Sequence, residues 1–213
     1  MFQNAEILPG FIVIEGIDGA GTSTQRSQLC QRMKSLNMPI YETFEPTDGP
    51  IGVLIRSALK KELLFTPETL CHLFAADRSW HTSGPNGISA RCQAGTWVIS
   101  DRYVFSSYAY QSLQLPLSFI AQLNGDFPLP SDVFFIEVDD ETGEQRRVKR
   151  GAEPEIYETA VIQSKVRKNY QQVFETLSRE RPEVKIHQLD GRLSIKELHQ
   201  SIWNILGFSP IQE

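Results

Sequence analysis

No stretch of this chain approaches the roughly 18 uninterrupted apolar residues that a bilayer-spanning helix needs. Cysteine is scarce. Cys30, Cys71 and Cys92 are odd in number and far apart, which leaves no disulfide framework and no zinc-ligand spacing, only reduced thiols in the core or on the surface. Histidine is equally sparse, since His72, His81, His187 and His199 are scattered and form no ligand set. A basic excess is lacking too: 21 Lys+Arg face 26 Asp+Glu, a formal charge of −5. That balance argues against a broad nucleic-acid surface, although a local group of arginines can still hold a small anion. The first residues, Met1–Glu6, have neither the basic region nor the apolar core of a signal peptide. Repeats and low-complexity segments are absent. With 40% hydrophobic and 22% charged residues, the 213-residue chain is expected to be one cytoplasmic domain over 1–213, with no nucleic-acid or membrane partner.

What is present is an alternation of buried strands and helices. Phe11–Ile14 is a continuous apolar run rich in β-branched residues, ending in Glu15-Gly16, as expected of a strand covered on both faces. A helix follows from Thr22, with Leu29, Met33 and Leu36 on one face and Asn37 and Pro39 as its stop. Further strands are expected at 39–44, 97–100, 133–138 and 184–189. Helices are expected over 51–59 and after the Thr66-Pro67-Glu68 cap. The alternation implies an α/β fold, with five parallel strands and helices on both faces.

The segment Gly16-Ile17-Asp18-Gly19-Ala20-Gly21-Thr22-Ser23-Thr24 joins the first strand to the first helix. Its glycines let successive amides turn inward on a phosphate, and the helix adds its positive N-terminal end. The spacing Gly-x-x-x-x-Gly-x-Ser is that of a phosphate loop, but Thr22 stands in place of the lysine that normally reaches the β- and γ-phosphates. Ser23 occupies the Mg²⁺-binding hydroxyl position. Asp101, at the end of the strand Trp97–Ser100, can complete that site, and Arg102 beside it can grip a phosphate with two bonds.

Taken together, these residues resemble the thymidylate kinase family. The likeness runs from Phe11–Gln25 through Phe44-Glu45-Pro46, Pro50-Ile51-Gly52 with Arg56, Leu73–Arg78 and Ser100–Tyr103 to Ser106–Gln111. It is looser beyond that, through Arg150-Gly151 and Asp190-Gly191. The resemblance implies a nucleoside-monophosphate-kinase-like fold and transfer of the ATP γ-phosphate to dTMP, with Mg²⁺ as cofactor and a homodimer as the assembly. It implies that Gly16, Gly19, Ala20, Gly21, Thr22, Ser23 and Thr24 bind ATP phosphates, and that Ser23 and Asp101 hold the metal. Asp18 would face the sugar 3′-hydroxyl, Phe74 would stack on thymine and Arg78 would meet its carbonyl edge. Arg56 and Arg102 would hold the acceptor phosphate, with Glu45, Pro46, Ser107 and Tyr110 lining the pocket. Read singly, Phe74 is equally a core residue and Arg78 a salt-bridged surface one.

The family carries a mobile lid near residues 142–156, where this chain places Arg146, Arg147, Lys149 and Arg150 within five positions. One of Arg146, Arg147 or Arg150 is expected to supply the charge that Thr22 cannot; the alternative is a solvated helix face. On this reading Asp18, Arg102, Arg147 and Arg150 are the catalytic residues and Arg146 a phosphate ligand. Two other functions stay open: a nucleotide-binding relative with weak or no kinase activity, and a kinase for another pyrimidine nucleotide.

Overall fold

The computed structural model describes residues 1–151 and 155–208, with Arg150 described by its backbone alone. Among them a five-stranded, wholly parallel sheet runs in the order β2-β3-β1-β4-β5. The strands are β1 (Ile7–Gly16), β2 (Ile40–Phe44), β3 (Trp97–Asp101), β4 (Leu129–Glu137) and β5 (Lys185–Asp190). Phe11–Ile14 of β1 and Val133, Phe134 and Ile136 of β4 are fully enclosed, which is why their sequences read as continuous apolar runs.

The first strand begins four residues earlier than its apolar run. In the fold Ile7 and Leu8 pair with Leu129 and Pro130 of β4 before the register shifts, whereas pairing with β3 starts only at Phe11. Residues 7–10 thus form a locally one-sided edge, the setting in which a strand tolerates proline.

Helix α1 (Thr22–Ser35) buries Gln25, Leu29, Cys30 and Met33. Helix α2 (Pro50–Leu59) leads to α3 (Pro67–Ser83), whose Thr66 side chain accepts the Thr69 N–H as the cap that its sequence suggests. The chain continues through α4 (Ile88–Gln93), α5 (Val104–Gln111) and α6 (Leu117–Asn124). After β4 come α7 (Asp140–Arg150) and α8 (Ala160–Glu180), and after β5 comes α9 (Ile195–Ile205). No described helix is long and apolar enough to cross a membrane.

Strand β1 lies between β3 and β4, so the chain leaves β1 towards one side of the sheet and later returns to the other. In open α/β sheets, ligands bind at the carboxyl ends of the strands where this reversal occurs. Gly16, Asp101 and Glu137 end three adjacent strands there.

Candidate active site

The loop after β1 wraps against its neighbours closely enough to demand glycine at two positions. A Cβ on Gly16 would stand 2.9 Å from the Ile136 carbonyl oxygen. Gly19 has φ +90°, and a Cβ there would lie 2.5 Å from the backbone oxygen of Gly143 in α7. The first turn of α7 therefore lies directly on the loop. Asp139 caps α7 by accepting the Thr142 N–H at 2.7 Å.

Ser23 and Asp101 meet, with the Ser23 hydroxyl donating to Asp101 Oδ2. Arg26 of α1 approaches the same oxygen at 3.8 Å and donates to Glu42 at 3.1 Å. Asp101 Oδ1 is buried and has no hydrogen-bond partner among the described residues. A hydroxyl and a carboxylate oxygen with a free lone pair, beside a phosphate loop, are the hard donors that Mg²⁺ prefers. The residues fit the ion.

Asp18 is the centre of the site. Its carboxylate accepts Arg102 Nη2 at 2.6 Å, Tyr110 Oη at 3.2 Å and Gln163 Nε2 at 2.6 Å. Its backbone N–H donates to Gln163 Oε1 at 3.0 Å, so this one amide on α8 grips Asp18 at two points. Burial works against the charge of Arg102, but Tyr110, Asp18, Tyr170 and Asp101 outweigh it and hold the guanidinium well above its ordinary pKa. Asp18, Tyr110 and Arg102 border an open cavity with about 820 Å³ of empty space, also lined by Phe74, Ser107 and Tyr157.

The segment 44–48, whose Phe44, Glu45 and Pro46 line the cavity, is fastened from two helices. From α3, Asp77 accepts the Thr47 N–H and hydroxyl at 2.7 and 2.6 Å. Arg78 contacts Glu45 Oε2 through Nε at 2.9 Å and Nη2 at 2.7 Å. The same guanidinium donates to Asn124 at 2.5 Å and to Ser107 at 3.0 Å. His81 lies 3.0 Å from Glu45 and 2.6 Å from Thr43. From α2, Arg56 Nη1 donates to the Pro46 and Thr47 carbonyls at 2.7 and 2.6 Å, and Nη2 pairs with Asp48 at 3.2 Å. Arg56, Arg78, Glu45 and Pro46 all line the cavity, but the two arginines spend most of their donors on the protein.

The basic run of α7 is divided between two tasks. Arg146 donates to the Gly19, Ala20 and Gly191 carbonyls at 3.5, 3.4 and 2.9 Å, tying the phosphate loop to the loop after β5. Arg147 is buried and donates through Nη1 to the Asp18 carbonyl at 2.7 Å. Its Nη2 is buried without any partner among the described residues. The Arg150 side chain and residues 152–154 of the expected lid lie outside the described residues.

Several residues here carry no individual role in the sequence reading. Glu15 is visible as an acid closing an apolar strand. Asp77 and His81 fall on the face of α3 that carries Arg78, whereas Gln163, Asn124 and Tyr170 have no local signal. Tyr157 follows the expected lid segment and stacks edge-on against Tyr110 at 5.4 Å.

A family model described as thymidylate kinase matches residues 14–202. A protein assigned as a thymidylate kinase in Treponema pallidum (strain Nichols) is 40% identical over 196 residues, 92% of this chain and 94% of that one. A second, from Thermococcus kodakarensis (strain ATCC BAA-918 / JCM 12380 / KOD1), is 35% identical over 201 residues, covering 90% and 94%. With the match spanning both the phosphate loop and the cavity wall, the chain belongs to the thymidylate kinase family.

Proposed function

We propose that this protein transfers the γ-phosphoryl group of ATP to dTMP, giving ADP and dTDP. The observation that carries the reading is the double membership of Asp18. Its backbone is part of the phosphate loop, and its carboxylate, gripped by Arg102 and Tyr110, borders the open cavity. Donor and acceptor sites therefore meet at one residue.

The loop amides of 16–24 and the start of α1 receive the donor phosphates, with Arg147 above them. Arg102 binds the acceptor phosphate, assisted by Arg56. Phe74 stacks on the base, while Arg78, Ser107 and Tyr110 complete the pocket between Glu45-Pro46 and α5. A phosphate monoester has a second pKa of about 6, so at neutral pH an acceptor oxygen attacks the γ-phosphorus without a protein base. As that P–O bond forms, the bond to ADP breaks. What the chain supplies is alignment and charge balance. Ser23 and Asp101 would hold Mg²⁺, which neutralises phosphate oxygens when bound. Asp101→Asn is expected to raise the Mg²⁺ concentration for half-maximal turnover by about 10–100-fold, measured by Mg²⁺ titration at fixed ATP. An unchanged titration curve would remove Asp101 from the metal site.

Thr22 favours a second reading, a nucleotide-binding relative with weak or no activity. ADP release with ATP and Mg²⁺ separates the two, using dTMP, dUMP, dCMP, AMP and GMP in turn. Turnover with dTMP well above the others is expected, and Thr22→Lys is run beside the parent. Nucleotide binding without turnover on any acceptor would favour the second reading, and preference for dCMP or dUMP would make this a kinase for another pyrimidine. We further propose a cytoplasmic homodimer. Val53 and Leu54, 49% and 42% exposed on α2, supply apolar surface for the contact, and the mass in solution checks it.

A further inference from the structure

The transfer reaction gives no task to Glu15, although this carboxyl group is fully buried beneath the site. Its Oε1 accepts the Tyr103 N–H at 2.9 Å. Its Oε2 accepts the Ser106 hydroxyl at 2.7 Å and the Tyr170 hydroxyl at 2.8 Å. Those two hydroxyls are 2.7 Å apart, and Arg102 Nη1 lies 3.3 Å from each of them. Arg102 itself stands at φ +67°, a left-handed backbone that non-glycine residues seldom adopt. Its N–H is tied to the Ile14 carbonyl at 2.9 Å, and its C=O accepts from Ser100 Oγ at 2.7 Å. The next N–H, that of Tyr103, is tied to Glu15.

We propose that Glu15 is a positioning residue for acceptor binding. Its carboxylate locks the left-handed Arg102 backbone through the Tyr103 amide. It also orients the Ser106 and Tyr170 hydroxyls that steady the guanidinium against Asp18. The inference rests on Arg102 being the ligand of the acceptor phosphate.

Proton counting explains why the ionised form does this work. Glu15 Oε2, Ser106 Oγ and Tyr170 Oη form a triangle of hydrogen-bond distances, and the two hydroxyls bring two protons. With Glu15 ionised, both hydroxyls donate to it and turn their lone pairs towards Arg102. A third proton on Glu15 would close the triangle on itself and withdraw a lone pair from the guanidinium. Burial pushes the Glu15 carboxyl up to about 7, against the opposing pull of Arg102, Ser106, Tyr170 and the Tyr103 amide. The titratable and charged groups around it are Arg102 and Tyr103 before α5 and Tyr170 on α8, with Tyr110 of α5 and Asp18 of the phosphate loop reaching it through Arg102. Acceptor binding should therefore weaken as pH falls through about 7.

Glu15→Gln keeps the shape and an acceptor for Tyr103, but turns an NH₂ group on the two hydroxyls. We expect the KM for dTMP to rise about tenfold, as for lost support of a precisely aligned group. The KM for ATP should stay within about twofold, and the part of the fall of kcat/KM for dTMP centred near pH 7 should disappear, leaving the fall near pH 6 that belongs to the phosphate of dTMP itself. Tyr170→Phe, which retains the ring, should show the same selective rise in KM for dTMP. Parental dTMP kinetics and pH profile in Glu15→Gln would overturn the proposal, as would equal losses for ATP and dTMP. If Glu15→Gln does not fold, Tyr170→Phe decides by the same criteria. Arg102→Lys separates the premise: unchanged dTMP binding there defeats the acceptor role of Arg102. A raised KM there, with parental Glu15→Gln and Tyr170→Phe, defeats only the role of Glu15.

Discussion

Replacing Arg147 by alanine is expected to slow phosphoryl transfer by about 100–1,000-fold at saturating ATP and dTMP, the usual effect of removing one transition-state donor. Thr22 leaves the phosphate loop without its lysine cation, and three arginines of the lid region are available in the sequence. The fold distinguishes two of them. Arg146 has its donors on the carbonyls of Gly19, Ala20 and Gly191, so it acts as a brace between two loops. Arg147 is held at the loop by a bond to the Asp18 carbonyl and keeps a buried Nη2 with no partner among the described residues. A buried donor without a partner carries an appreciable desolvation cost, which an incoming phosphate oxygen would relieve. The Arg146→Ala variant should lose much less, within about tenfold, because neither of its terminal nitrogens is left unpaired. Single-turnover rates for both variants check the assignment, and Thr22→Lys in the Arg147→Ala background should recover part of the loss. Parental turnover in Arg147→Ala would end the idea that Arg147 substitutes for the lysine.

Arg78→Ala is expected to destabilise the fold by about 3–5 kcal/mol, the range for breaking a buried ion pair by removing one partner. The side chains of Arg78 and Glu45 are 1% and 4% exposed. Without the guanidinium, the Glu45 charge keeps only His81 close by, and Asn124 and Ser107 lose their donor. For a domain of this size the loss corresponds to a fall in Tm of about 10 °C. Chemical denaturation measures it directly, and Glu45→Gln added to Arg78→Ala should return part of the stability by removing the stranded charge. A loss under about 1 kcal/mol together with abolished dTMP binding would make Arg78 a pure substrate ligand. The family resemblance implies that Arg78 is a partner of the base. In the fold it first holds the 44–48 segment against α5 and α6, and it meets the cavity with what remains.

The legible parts of this protein are those whose physics is local. Phe11–Ile14 and Val133–Ile136 reveal buried parallel strands because both faces need apolar side chains. The phosphate loop is visible because consecutive amides do the binding, so its glycines stand at fixed spacing in one short segment. Residues 7–10 of β1 carry no apolar run, because β3 is absent from that stretch and only β4 pairs with it.

From its order of residues alone, this chain determined a five-stranded parallel α/β fold, a phosphate loop with threonine in the lysine position, and a basic run over residues 146–150. Only the tertiary structure decided how those parts are used. Arg102 reaches Asp18 across 84 residues, Gln163 reaches it across 145, and Arg147 settles on the same residue from α7. Parallel strands require crossovers of a dozen residues or more, so the groups meeting at the carboxyl ends of the strands come from distant segments. No local pattern can record which buried donor among them is left for the substrate.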